Sequence, residues 1–235
     1  MGVSFDNVTM DEAVSVAEGL LLEPKNHYCV TPNSEIVYEA MRDPSLMELL
    51  NGADLVLPDG AGVVLGSKIL GSPLKQKVAG VDFADRLLSV LAEKKLRLFL
   101  LGGKPGIAEA AAGEMRRRHP GLLISGMKDG YFREDAQAVA AVRDAGADVL
   151  FVCLGAPKQE RFMKAHAQEL PVRLMIGLGG SLDAFAGTVK RAPRWMIACN
   201  LEWFYRLLQQ PSRLGRMMRL PKFLFAAVAR RIKGK

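Results

Sequence analysis

The alternation of strand and helix in this chain is clearest at residues 96–106, which read LRLFLLGGKPG. A nearly unbroken apolar run ends at two glycines, and an alanine-rich segment of helical character follows as far as Arg118. The same order returns at residues 148–160, DVLFVCLGAPKQE, where an apolar strand enters a Gly-Ala-Pro turn and then a helix. Strands that are apolar throughout are typical of a parallel sheet covered by helices on both faces. We therefore predict an α/β fold with a Rossmann-like, mostly parallel sheet.

Outward from these two units, the same signals predict the other elements. Thr9 and Glu12 form a T-x-x-E capping box that opens a helix to about Leu22. The other predicted strands are residues 27–30, 53–57, 122–125 and 172–176, and the other predicted helices are residues 34–42, 45–50, 81–95, 134–145 and 158–170. Polar or glycine-rich residues follow five of the strands, at 31–33, 58–60, 102–103, 155–160 and 177–183. Because ligands bind at the carboxyl ends of parallel strands, these five loops predict a single site.

The C-terminal segment differs from the rest of the chain in charge. Residues 190–235 hold 12 Lys or Arg and one acid, Glu202, whereas the preceding 189 residues hold 20 basic and 24 acidic residues. Aromatic residues lie among these cations, namely Trp195, Trp203, Phe204, Tyr205, Phe223 and Phe225. A basic segment rich in apolar residues favours an anionic membrane surface over a nucleic acid. We predict an α/β catalytic domain over residues 1–194 and a basic helical appendage that associates with membranes over residues 195–235.

Within the appendage, residues 195–210 have the periodicity of one helix, with Ile197, Leu201, Phe204 and Leu208 on one face. Beyond Pro211 the charge density is too high for a core segment and predicts a peripheral membrane contact. Exposed apolar faces there could also be buried in a homo-oligomer. No apolar run reaches the roughly 20 residues that span a bilayer, and the N-terminus lacks the pattern of a signal peptide.

Several kinds of chemistry lack their signature in the sequence. There is no G-x-G-x-x-G, no P-loop, no G-x-S-x-G elbow and no D-x-D, and the three histidines have no ligand spacing. The three cysteines, Cys29, Cys153 and Cys199, are odd in number and lie in apolar stretches, which predicts free thiols in a reducing cytosol. We expect no metal site and no cofactor, and we interpret His27 as structural.

The loops themselves allow two interpretations. The glycines at 102–103 and 177–180 could bring backbone amides to the diphosphate of a nucleotide, or they could serve tight turns only. Asp59 in Pro-Asp-Gly could be turn chemistry or a functional acid. Asp82 could be favoured by a helix N-terminus, and Lys158, Gln159 and Glu160 could form a solvated first turn.

An ordered set of motifs narrows these alternatives. The chain contains TPNSEIV, LPDGAGVV, VAGVDF, LFLLGGKPG, DGYF, VCLGAPKQE, GLGGSLDAFAGTVKRAP and LEWFYRLLQQPSR. In this order they resemble the WecG/TagA/CpsF family of bacterial glycosyltransferases, over about residues 5–219.

The resemblance implies a function. Members of that family transfer a sugar from a UDP-sugar to a polyprenyl-diphosphate-linked sugar at the cytoplasmic face of the membrane. The TagA-type branch, which this chain most resembles, adds N-acetylmannosamine to undecaprenyl-diphosphate-N-acetylglucosamine in wall teichoic acid synthesis. That reaction inverts the anomeric centre and needs no metal. The family also uses the uronic acid of N-acetylmannosamine and glucose as donor sugars, so the donor stays open.

The resemblance also implies residue roles. Asp59 matches the proposed general base, Thr31, Asn33 and Gln159 match pocket residues, and Arg206, Arg213 and Arg216 match appendage arginines at the lipid diphosphate or the UDP leaving group. Lys77 stands where the family often has arginine, which keeps the charge and loses the bidentate fork. The candidate catalytic residues are Asp59, Thr31 and Gln159. The candidate substrate-binding residues are Asn33, Lys77, Asp82, Gly102, Gly103, Glu160, Gly177, Gly179, Asp183, Arg206, Arg213 and Arg216.

Two other classes remain as competing hypotheses. A nucleic-acid-binding module would use the tail to grip phosphates and would show salt-dependent affinity for RNA or DNA. The even mixture of apolar and basic residues in the tail argues against it. A Rossmann-type oxidoreductase would be revealed by binding of NAD.

Overall fold

The computed structural model describes residues 1–199, 201–209, 211 and 214–233. In this part of the chain six strands form one sheet in the order β2-β1-β6-β5-β3-β4, and each neighbouring pair is parallel. The strands are β1 (His27–Val30), β2 (Leu55–Val56), β3 (Arg97–Gly102), β4 (Leu123–Lys128), β5 (Val149–Cys153) and β6 (Leu174–Gly177). The predicted α/β class is confirmed, and the sheet is parallel throughout.

The helices of the first 185 residues cover the sheet. They are α1 (Met10–Leu20), α2 (Ser34–Ala40), α3 (Pro44–Asn51), α4 (Ala61–Leu70), α5 (Gly80–Glu93), α6 (Ile107–Arg118), α7 (Asp135–Asp144), α8 (Lys158–His166) and α9 (Ser181–Phe185). The predicted capping box of α1 is present, because the Thr9 hydroxyl accepts from the Glu12 amide and the Glu12 carboxylate accepts from the Thr9 amide.

Two apolar cores lie on opposite faces of this sheet. Successive residues of a strand point to opposite faces, so Leu98 and Leu100 enter one core and Phe99 and Leu101 the other. The first core includes side chains of α1, α5, α6 and α9, and the second includes side chains of α3, α7 and α8. Because all neighbouring strands are parallel, their carboxyl ends lie along one edge of the sheet.

Two helices, α4 and α9, were absent from the sequence prediction. Helix α4 contains Gly62 and Gly66, which lower its intrinsic propensity. Its stability comes from packing, because both glycines are buried and face the C-terminal helix. A Cβ at Gly66 would lie 2.6 Å from Phe223 Cε1, and one at Gly62 would lie 2.5 Å from Leu220 Cδ1. The small residues therefore form the surface that receives this partner.

The C-terminal segment forms α10 (Arg194–Ala198), α11 (Glu202–Gln209), α12 (Leu214–Met217) and α13 (Arg219–Lys233). The prediction of one helix over residues 195–210 is wrong. Helix α10 ends where the Cys199 amide donates to Trp195 O and the Leu201 amide closes back on Met196 O at 2.8 Å. The predicted apolar face is divided accordingly, and Phe204 and Leu208 remain exposed.

The expectation that no residue beyond Pro211 belongs to a core is also wrong. Helix α13 packs against α4 and α2, and its Phe223 and Ala227 are buried. High charge did not prevent burial, because the side chains of Lys222, Arg230 and Arg231 remain exposed, with Arg231 donating to Leu70 O at the end of α4.

Candidate functional site at the carboxyl edge of the sheet

Thr31 and Asn33 are positioned by the end of β1. The Thr31 hydroxyl donates to Gly177 O at the end of β6, at 2.9 Å, and so ties two neighbouring strands together at their carboxyl ends. Asn33 caps α2, with its Oδ1 accepting from the Glu35 and Ile36 amides at 2.9 and 3.1 Å. Because that oxygen serves the cap, Nδ2 is the Asn33 atom that could donate to a ligand.

Asp59 follows β2 and lies half-buried at the N-terminus of α5. The Gly80 amide donates to its Oδ2 at 3.3 Å, and the Val78 amide donates to Pro58 O at 2.9 Å. A Cβ on Gly80 would lie 3.1 Å from Thr31 Oγ1. Gly80 therefore lies next to both Asp59 and Thr31, which follow two neighbouring strands.

Asn33 belongs to the same cluster. A Cβ on Gly60 would lie 3.7 Å from Asn33 Cβ. Three of the sequence candidates, Thr31, Asn33 and Asp59, therefore surround one point at the ends of β1 and β2. The Asp59 carboxylate can accept a proton from a sugar hydroxyl. Asn33 Nδ2 can contact that sugar as a donor, whereas the Thr31 oxygen, whose proton goes to Gly177 O, can contact it only as an acceptor.

Gln159 and Glu160 are buried, at 2% and 1% exposure, so the interpretation of a solvated first turn of α8 is wrong for both. Gln159 Oε1 accepts from the Gly179 amide at 2.8 Å, and its Nε2 donates to Glu160 Oε1 at 2.9 Å. Burial raises the pKa of the Glu160 carboxyl, against the lowering effect of the Gln159 hydrogen bond. These side chains reach inward because the turn after β5 sets the start of α8 against β1, β5 and β6.

The glycine loops use several of their amides within the protein. In the loop after β6, the Leu178, Gly179 and Ser181 amides donate to Val152 O, Gln159 Oε1 and Leu178 O. These three amides therefore do not face an anion. Gly177 lacks a side chain for a packing reason, because a Cβ there would lie 2.9 Å from Gln159 Nε2.

The loop after β3 is also built for close contact. Gly102 has a φ of +124°, and a Cβ there would lie 2.2 Å from Cys153 O of β5. The Gly103 amide donates to the same carbonyl at 3.3 Å. The connection after β3 leads to β4 on one side and the connection after β5 leads to β6 on the other, so the ends of β3 and β5 are a topological switch point, where ligands bind in open α/β sheets. Glycine at position 102 allows the backbones of β3 and β5 to approach closely there.

Lys77, Asp82 and Glu202 form part of an ion-pair chain with Arg191. Asp82, in the first turn of α5, pairs with Arg191 through two contacts at 2.5 and 3.0 Å. Glu202 on α11 lies 3.7 Å from Lys77 Nζ and 3.9 Å from Arg191 Nε. These contacts place α11 beside the loop that carries Lys77. Asp82 is thus held by a cation, and the Asp82 carboxylate raises the pKa of the Arg191 guanidinium further.

Asp183 lies half-buried in α9, beside the loop after β6, and its backbone oxygen accepts from the Thr188 hydroxyl and the Val189 amide. A cavity of ≈ 430 Å³ lies next to this helix, lined by α5, α6, α9 and Arg191. It includes Asp82 but none of Thr31, Asn33, Asp59 or Gln159. The cavity therefore lies beside the site edge, and we assign the chemistry to the edge.

The appendage arginines can be placed only in part. Arg213 lies outside the described residues, and so do the side chains of Arg206 and Arg216. Within the described ranges, no group of three or more His, Cys, Asp or Glu side chains could hold a metal ion. Absence of a metal requirement remains a prediction.

Sequence reasoning missed two residues near the edge. Nothing in the local sequence of Arg191 indicates that it pairs with Asp82, more than 100 positions earlier. Tyr131, 68% exposed, lies on a turn that the Gly130 amide joins to Gly103 O at 2.9 Å. The Asp-Gly pair before Tyr131 signals that turn, and an exposed aromatic ring beside the β3 loop offers a stacking surface.

The chain matches the model of the Glycosyl transferase WecG/TagA/CpsF family over residues 1–235. The chain belongs to this family. It is therefore a glycosyltransferase, and the oxidoreductase and nucleic-acid alternatives find no support.

Two curated relatives of this glycosyltransferase are both named N-acetylglucosaminyldiphosphoundecaprenol N-acetyl-beta-D-mannosaminyltransferase. The protein from Bacillus spizizenii is 40% identical over 204 residues, which cover 87% of this chain and 79% of the relative. The protein from Staphylococcus aureus strain MW2 is 34% identical over 237 residues, which cover 99% of this chain and 93% of the relative. The described helices include none that is long and apolar enough to cross a membrane.

Proposed function

We propose that this glycosyltransferase moves N-acetylmannosamine from a UDP-sugar to undecaprenyl-diphosphate-N-acetylglucosamine. The observation that carries the proposal is the convergence of Asp59, Thr31 and Asn33 at the ends of β1 and β2 in a chain of this family. The names of relatives that align with nearly the whole chain support the choice of sugar and acceptor. The pathway is the synthesis of wall teichoic acid or a related surface polysaccharide.

Asp59 is the general base of this mechanism. The acceptor hydroxyl oxygen attacks C1 of the donor sugar, its proton passes to the Asp59 carboxylate, and the bond from C1 to the UDP oxygen breaks with inversion. A positioned base of this kind contributes roughly 10²- to 10⁴-fold. Thr31 and Asn33 orient the reacting groups from the same loops.

Cations stabilise the departing diphosphate in place of a metal. Lys77 and Arg191 lie at the border between the site edge and α11, where their charges can act on a phosphate. We assign the same role to Arg206, Arg213 and Arg216 from the family resemblance.

The appendage holds the enzyme at the cytoplasmic face of the plasma membrane. One side of α13 exposes Phe225, Val228 and Ile232, at 75%, 41% and 69%, between exposed cations. These positions are three and four residues apart and share a face. Each Lys or Arg near an anionic surface is worth about 1 kcal/mol, so several cations and this apolar face together support peripheral binding. A second copy of the chain is the other surface that could cover the face.

A product assay tests the proposed function. The full chain is incubated with UDP-N-acetylmannosamine, the corresponding uronic acid or UDP-glucose, together with a polyprenyl-diphosphate-N-acetylglucosamine analogue, with and without EDTA. We expect one added N-acetylhexosamine by mass, only with the first donor, and equal rates in EDTA. Transfer of another sugar would change the donor assignment. Loss of activity in EDTA that Mg²⁺ or Mn²⁺ restores would overturn the metal-free mechanism.

A further inference from the structure

The carboxyl group of Glu160 is 1% exposed and accepts one side-chain hydrogen bond within the described residues. Its Oε1 accepts from Gln159 Nε2 at 2.9 Å, whereas Oε2 is buried and has no partner among the described residues. A buried carboxylate with so few donors would be costly. Both burial and the neighbouring carboxylate of Glu39 raise the pKa of this group. Glu160 is thus built to accept a hydrogen bond from within the protein, and its exposure of 1% leaves no surface for substrate.

Glu160 fixes the orientation of the Gln159 side-chain amide. An amide side chain can turn by 180° and exchange its oxygen and nitrogen. In Gln159 the oxygen must face the Gly179 N–H, at 2.8 Å, and the nitrogen must then face an acceptor, which Glu160 supplies. In the opposite orientation, the Gln159 NH₂ group would face the Gly179 N–H, and two donors would oppose each other. The Glu160 acceptor favours the observed orientation.

The loop held by Gln159 is fastened on two sides. Gln159 holds the Gly179 amide, and the Thr31 hydroxyl holds Gly177 O at 2.9 Å. Hydrogen bonds therefore connect Thr31, the loop after β6, Gln159 and Glu160 in that order, and Glu160 is the last group of this series. A displacement of the loop would move the Thr31 hydroxyl, which lies beside Gly80 and Asp59.

We propose that Glu160 is a positioning residue that acts through Gln159 to hold the loop of residues 177–180, and through Gly177 O the Thr31 side chain, in place at the site edge where the donor reacts. The proposal rests on the proposed function in that the donor is a UDP-sugar. It replaces the expectation that Glu160 itself binds substrate.

A double-mutant cycle tests the proposal in the full-length chain. E160M keeps the length of the side chain but removes the acceptor, and Q159A removes the group through which Glu160 acts. We expect E160M alone to weaken UDP binding by roughly tenfold, the effect of one buried hydrogen bond. The double variant should bind UDP no more weakly than Q159A, because the two residues act as one unit. Multiplied losses in the double variant would overturn the proposal.

The conservative variant E160Q supplies the matched control. Its side-chain oxygen still accepts from Gln159, so UDP affinity should stay within about threefold of wild type. Losses in E160Q as large as those in E160M would show that the acid itself is needed, which also contradicts the proposal.

Hydrogen exchange gives a readout that requires no substrate. Amides of residues 177–181 should exchange faster in E160M and Q159A than in wild type, and should keep wild-type protection in E160Q. A merely structural role of Glu160 would instead loosen α8 as a whole. An E160M chain that fails to fold would make Glu160 a residue of the core, and would overturn the proposal as well. If the variants show these protection differences but wild type has no affinity for UDP, the proposed function fails and the positioning of the loop stands.

Discussion

At the carboxyl edge of the sheet, buried polar side chains hold the loop after β6, whereas α13 buries one apolar stripe and exposes another beside its cations. Thr31, Gln159 and Glu160 are all less than a tenth exposed; Thr31 and Gln159 both bond to the backbone of the loop after β6, and Gln159 also bonds to Glu160. On α13, Phe223 and Ala227 are buried and Phe225 is 75% exposed. Hydrogen bonds between buried groups hold the edge, whereas the appendage exposes an apolar surface that a membrane could cover.

The comparison also shows how the two regions are joined. Glu202 of α11 approaches Lys77 and Arg191, and Arg219 of α13 pairs with Glu39 of α2 at 2.5 Å. Ion pairs that are partly exposed contribute little stability each, so the buried apolar contacts of α13 carry most of the attachment. Four predictions test this division between a chemical edge and a two-faced appendage.

The largest expected effect concerns Asp59. D59N should lower turnover by roughly 10²- to 10⁴-fold, the range for loss of a general base. UDP binding should persist, because the asparagine oxygen can still accept from the Gly80 amide. Initial rates and UDP titration measure both quantities, with D144N, an exposed change on α7, as the control. Turnover close to wild type in D59N would remove Asp59 from the role of base.

The second prediction concerns the buried stripe of α13. F223A should lower the free energy of unfolding by about 3 kcal/mol or more, since it empties the space against Gly66 of α4. Denaturant unfolding measures this loss. F225A, two positions further on the same helix, should change it by no more than about 0.5 kcal/mol. Equal losses in the two variants would contradict the two-faced description.

Because Phe223 packs on the body, we also expect a chain truncated before α10 to expose α4. Point substitutions therefore test the appendage better than deletion.

The third prediction concerns the exposed face of α13. F225A should weaken binding to vesicles of anionic phospholipid by roughly tenfold, the effect of losing one buried aromatic ring. Sedimentation with the vesicles measures binding. L22A provides the control, because Leu22 is also 75% exposed but lies just after α1. Unchanged vesicle binding in F225A, together with a smaller oligomer by light scattering, would assign the face to a second copy of the chain.

The smallest expected effect is the pH dependence that Glu160 gives to stability. Its pKa is raised in the folded state, so its contribution is complete below the unfolded value of about 4.3 and is lost as pH rises through the folded value. E160Q cannot ionise. It should therefore gain melting temperature over wild type at neutral pH and lose that advantage at acid pH. E109Q, an exposed change on α6, should show no such trend. A constant difference between E160Q and wild type at all pH values would show that Glu160 does not titrate with folding.

The sequence by itself determined the parallel α/β fold, the Thr9 capping box and the order of the six strands along the chain, although β4 ends at Lys128, three residues beyond its predicted end, and β2 is shorter than predicted. These features depend on local periodicity and on turn chemistry, which neighbouring residues specify. Asp59, Thr31 and Asn33 could be selected as candidates because each directly follows an apolar strand. Their roles came from the family resemblance and remain predictions.

Tertiary structure alone decided which polar and apolar residues are covered. Helix α4 has a weak local signal because Gly62 and Gly66 suit the packing of α13, which lies about 160 residues later in the chain. The first turn of α8 gives no local sign that Gln159 and Glu160 are buried, since their partner Gly179 belongs to the loop after another strand. Burial depends on which elements meet in space, and a short stretch of sequence does not contain that information.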